Sequence, residues 1–157
     1  MSEPIEVILK RLTAIQRGRE TAKGFHFFCQ VGGARWKYGV TTLQISGTGW
    51  VLASWRPQGA EPSEDQLYSA YISTRDLRAF VKRMLDYPFW EMDTARWERR
   101  DDECNIHLRL ADTGKAFARD LQVWSDERQR QKTLREILAL VDLVLRTVSN
   151  DEVFLRF

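Results

Sequence analysis

The sequence predicts an α+β domain in which an antiparallel sheet of about six strands carries three helices, N-terminal, middle and long C-terminal, packed mainly on one face in the order αββββαββα. Three observations lead there. Apolar residues recur at helical spacing in three separate stretches, they alternate with polar residues at period two between those stretches, and glycine- or proline-containing segments punctuate the transitions.

The opening "SEPIEVILKRLTAIQRG" offers Ser2 as a cap and Pro4 in the first turn. It places Ile5, Ile8, Leu9, Leu12 and Ile15 on one stripe and stops at Gly18, so a helix is the first element. A short strand over residues 5–9 is the rival reading. From "GFHFFCQVGG" the period changes to two: Phe25, Phe27, Cys29 and Val31 share one side, and His26, Phe28 and Gln30 the other. "RWKYGVTTLQI" continues extended, but Trp36, Tyr38 and Val40 differ in parity from Leu43 and Ile45, which predicts a bulge or bend over residues 39–42. "SGTG" turns the chain into "WVLASWR", the Pro- and acid-bearing "PQGAEPSEDQ" reads as a surface loop, and "LYSAYI" is a fourth strand.

Ser73 or Thr74 caps the middle helix, whose buried stripe is Leu77, Phe80, Val81 and Met84. "CNIHLRL" and "AFARDLQVW", joined by "ADTGK", form a hairpin. Ser125, followed by Asp126 and Glu127, is an acid-first start for a long helix reaching about Val148. Its stripe is Leu134, Ile137, Leu138, Val141, Val144, Leu145 and Val148. "DEVFLRF" closes the chain as a candidate edge strand.

Composition limits the function classes. At 43% hydrophobic and 29% charged, the 157 residues are expected to form one globular domain with a real core. Net charge is only +2 and the basic residues are spread along the chain, so the sequence lacks the clustered Lys/Arg that neutralises a polyanion. No apolar run approaches the roughly twenty residues that span a bilayer, and the first residues lack the pattern of a secretory leader. Two cysteines cannot make a disulfide framework; the expectation is a cytoplasmic protein with reduced thiols and no membrane contact.

The chain's only histidines and cysteines fall in two tetrapeptides of mirrored spacing, "HFFC" and "CNIH". His26, Cys29, Cys104 and His107 therefore supply the inventory of a Cys₂His₂ zinc site or of a Cys/His nucleophilic pair. Strand geometry argues against both, because residues three apart on a strand point to opposite faces. The cysteines share parity with apolar neighbours and the histidines with polar ones, so the expectation is a buried thiol pair, outward imidazoles and no metal or other cofactor. No phosphate-binding glycine loop, H-E-x-x-H or G-x-S-x-G motif occurs, and the Gly clusters precede strands instead of helix N-termini.

Aromatic residues are the stronger signal. Six tryptophans, eight phenylalanines and four tyrosines exceed what a core of this size requires, and several sit beside Arg or Lys, as in "ARWKY" and "TARWERR". Such residues anchor protein interfaces or stack bases. The candidate partner-binding residues are Trp36, Tyr38, Trp90, Trp97, Arg99 and Arg100, together with Leu140 and Leu143 of the last helix. Leu143 lies opposite the core stripe and is expected to touch another helix of the fold or, alternatively, another chain. The expectation is a non-catalytic module, an adaptor, immunity-type protein or complex subunit that binds another protein; homodimerisation is open. Single-stranded nucleic acid is the weaker alternative because no dense basic track accompanies the aromatics.

Overall fold

The structure is a computed structural model and describes residues 3–33, 35–92, 104–129 and 131–157. Helix α1 (Glu3–Gln16) is followed by strands β1 (Phe25–Gly32), β2 (Val40–Ser46), β3 (Trp50–Arg56) and β4 (Gln66–Tyr71). Helix α2 (Thr74–Asp86), strands β5 (Asn105–Asp112) and β6 (Phe117–Trp124) and helix α3 (Lys132–Ser149) complete the expected order. The strands form one sheet in the order β4-β3-β2-β1-β5-β6, with every neighbouring pair antiparallel. The first four strands meander to one edge, α2 returns the chain across the inner face, and the β5–β6 hairpin extends the sheet beyond β1.

All three helices lie on the inner face. Phe25, Phe27, Cys29 and Val31 of β1, Ile106, Leu108 and Leu110 of β5, and Leu43 and Ile45 of β2 are buried there against Ile8, Leu12 and Ile15 of α1, the Leu77–Phe80–Val81–Met84 stripe of α2 and the Leu134–Leu145 stripe of α3. Each buried Ile, Leu or Phe contributes roughly 1.5–3 kcal/mol. Phe27 sits edge-on to Phe80 and Phe89, with ring centroids 5.1 and 6.0 Å apart.

One buried polar network ties α1 to the β5–β6 hairpin. Arg11, 6% exposed, donates from Nε to Asp112 Oδ2 at 2.7 Å, from Nη1 to Glu20 at 3.0 Å and from Nη2 to the Lys23 carbonyl at 3.0 Å. The second oxygen of Asp112 accepts the Gly114 and Lys115 amides of the hairpin turn. A buried charge is tolerated when its bonding capacity is met in this way.

Several boundaries differ from the sequence expectation. Residues 35–39 turn instead of extending: Gly39 has φ +77° and a side chain there would collide with the Arg56 carbonyl, so β2 starts at Val40 and no bulge is needed to reconcile the parities. Ser125 opens only a 3₁₀ turn (Ser125–Gln129), its amide bonded to the Cys104 carbonyl just before β5, and α3 begins at Lys132. The C-terminal segment is not an edge strand. Its amides are taken by side chains of α3, Val153 N donating to Ser149 Oγ at 2.8 Å and Leu155 N to Asp142 Oδ1 at 2.7 Å. The Ser2 cap and the loop carrying Trp97, Arg99 and Arg100 lie outside the described residues.

Candidate functional site

Strand alternation divides the His/Cys quartet across the sheet. Cys29 and Cys104 are on the inner face, 1% and 0% exposed, whereas His26 is exposed and His107 half-buried on the outer face. Burial pushes the Cys29 thiol above its ordinary range and Cys104 up to about 11, so both are protonated at neutral pH. The two cysteines and the two histidines therefore lie on opposite faces of the sheet and do not converge on one point, and burial disfavours the thiolate form. Among the described residues no group of three or more His, Cys, Asp or Glu side chains gathers as a metal site. His107 instead bonds through Nε2 to Asp120 Oδ1 at 2.6 Å, and Arg109 Nη1 donates to the other carboxylate oxygen at 2.7 Å. Ser46, opposite His26 in the β1–β2 register, shares a hydrogen bond with Thr48 Oγ1 at 3.0 Å.

Among the described residues no helix covers the outer face of the sheet. Strand parity places His26, Phe28 and Gln30 of β1 between Thr42, Gln44 and Ser46 of β2 and His107, Arg109 and Ala111 of β5. Trp50, Leu52 and Ser54 of β3 and Leu67, Ser69 and Tyr71 of β4 continue the same surface. A groove of about 510 Å³ runs across it, lined by His26, Phe28, Gln44, Ser46, Trp50, His107 and Arg109 among others. Phe28 stands edge-on to His107, centroids 5.3 Å apart. Both arginines on this face are neutralised. Arg109 is held by Asp120, and Arg56, at the end of β3, makes a two-pronged bond to Asp65 at 2.6 and 3.0 Å. The Arg56 hydrogen bonds hold the Asp65 carboxyl below the usual carboxylate range.

The partner-binding residues expected from sequence fall in different places. Trp90 is removed from that set: it is 1% exposed, packed 5.5 Å from Phe89 and beneath Arg119, which donates to its carbonyl. Trp36 and Tyr38 belong to a clasp on the C-terminal segment. Trp36 Nε1 donates to the Arg156 carbonyl at 3.4 Å, Trp55 Nε1 to the Tyr38 carbonyl at 2.8 Å, and the Arg156 guanidinium lies 4.3 Å from the Trp55 and Phe154 rings. Tyr38 keeps 37% of its surface exposed within this clasp. Leu140 packs on the core, but Leu143 is 62% exposed and is not part of the core cluster. Phe28, Trp50, Leu67 and Tyr71, four of the apolar residues on the outer face, were absent from the sequence-derived set. The signal for Phe28 was its shared parity with His26; the others needed the strand order.

No family model and no curated protein matches this chain. The geometry of the outer face therefore carries the functional argument alone.

Proposed function

We propose that this chain is a non-catalytic protein-interaction module and that the outer face of its sheet is the binding surface. The observation that carries the reading is the combination on one uncovered face of aromatic and aliphatic side chains around a groove with arginines that are already paired. Apolar surface of this kind is recovered by docking an apolar side chain of a partner, while the groove's Gln44, Ser46 and His26 offer hydrogen bonds to its backbone. On the outer face the strand arginines Arg56 and Arg109 are already paired with carboxylates, which favours a neutral protein segment over single-stranded nucleic acid. The buried, unpaired thiols favour a reducing compartment such as the cytoplasm, and among the described residues no helix is long and apolar enough to cross a membrane.

The test compares the tagged protein with its Phe28→Ala/Trp50→Ala variant in the native host, after circular dichroism has established that the variant folds. The expected result is a defined protein captured by the wild type and lost with the variant. Capture of the same proteins by both would sink the reading. Salt-sensitive binding of a pyrimidine oligonucleotide by the wild type would transfer the face to the nucleic-acid class, and stoichiometric zinc in the purified protein would reopen the metal one.

A further inference from the structure

The two edges of the sheet are unequally protected. At β6 the edge strand carries Arg119 and Asp120, α1 packs against it, and the turn at Phe89–Glu91 is fastened to it through the Arg119–Trp90 bond. At the other edge β4 reads "QLYSAY", with no charge, proline or glycine within it, and among the described residues no strand lies beyond it. An unguarded edge of this composition is a template for strand pairing.

The register decides what fits there. Ile72 N–H donates to the Gly49 carbonyl at 2.8 Å, which with antiparallel alternation turns the amides and carbonyls of Gln66, Tyr68 and Ala70 toward β3. Those of Leu67, Ser69 and Tyr71 point outward. A second copy related by a two-fold axis through Ser69 satisfies every one of them: Ser69 pairs with its own counterpart, and Leu67 pairs with Tyr71 of the other copy on both sides of the axis. The cross-strand neighbours then match. Leu67 and Tyr71, 61% and 76% exposed, cover each other on the outer face, and Tyr68 meets the small Ala70 on the inner face.

We infer that β4 is a homodimerisation edge, joining two sheets antiparallel about Ser69 into one continuous twelve-stranded sheet. The edge contact is independent of what the open face binds, since it uses the outward backbone groups of β4 and leaves the His26–Phe28 groove uncovered.

Sedimentation of the full chain at about 100 μM, a concentration at which even weak self-association registers, is expected to give the dimer mass. Ser69→Pro removes one outward amide without touching the β3 ladder and should give the monomer. Should that variant fail to fold, Leu67→Lys/Tyr71→Lys makes the same prediction through charge and leaves the backbone unchanged. Register is read by cysteine cross-linking. Ser69→Cys, at the axis, should form a covalent dimer on mild oxidation, whereas Leu67→Cys, two positions from the axis, should not; the native thiols are buried and do not contribute. A wild-type monomer at that concentration, or equal cross-linking at both positions, would overturn the proposal.

Discussion

Phe27 and Phe28 are neighbours in the chain and in the same strand, yet they answer to different demands. Phe27 is 1% exposed, edge-on to two rings of the helix layer, and surrounded by a core that any foldable sequence of this order must build. Phe28 lies half-buried beside His107, on a surface that the fold does not need to cover. The inner face holds hydrophobic residues, two protonated thiols and few polar atoms, whereas the outer face mixes aromatics with imidazoles, amides and neutralised arginines. Periodicity alone separates the two sets.

That contrast predicts where substitutions register. Phe27→Ala should lower the unfolding free energy by about 3–5 kcal/mol, the cost of an unfilled aromatic cavity, while Phe28→Ala should cost no more than about 1 kcal/mol. Urea denaturation of the two variants measures both, and equal losses would erase the distinction between the faces. Asp112→Ala strands Arg11 in the core; with Glu20 and the Lys23 carbonyl still bonded to the guanidinium, the loss should fall at the low end for a broken buried pair, about 3 kcal/mol by thermal denaturation.

The thiols give a pH signature of the inner face. A cysteine in the unfolded chain ionises near its ordinary pKa, but Cys104 in the fold ionises only at about 11 and Cys29 higher. Both folded pKa values are raised, so their contribution is complete below the unfolded pKa and is lost as pH rises toward the folded one. From pH 8 to pH 10 Cys104 alone should cost roughly 1 kcal/mol. Cys104→Ala should flatten the alkaline fall in a denaturation series, and an unchanged slope would mean that the thiol is not sealed in the core. The smallest effect belongs to Leu143→Lys, expected to change stability by less than about 0.5 kcal/mol because the side chain is already in solvent; a larger loss would return Leu143 to an internal contact.

The order of elements, the stripes of α2 and the separation of cysteines from histidines were legible because each depends on local periodicity. The turn over residues 35–39 was not, since its cause is the approach of Gly39 to the distant Arg56 carbonyl. The start of α3 was misplaced because the acid-first, Ser-led composition of residues 125–127 suits a 3₁₀ turn as well as an α-helix, and the structure has the turn there. Trp90 could not be told from an interface tryptophan without knowing that Phe89 and Arg119 enclose it. The site was legible only in part. Phe28 could be assigned to the face of His26 from parity, but the meeting of Phe28, Trp50 and His107 around one groove follows from β5 inserting beside β1, a pairing between segments far apart in the chain.

The central claim is that the outer face docks a protein, and the most direct measurement places a photo-crosslinking phenylalanine analogue at position 28 and, separately, at position 143, in the native host. The account predicts a discrete adduct with one partner protein from the Phe28 position and none from the Leu143 position. No adduct from Phe28, or equal adducts from both, would contradict it.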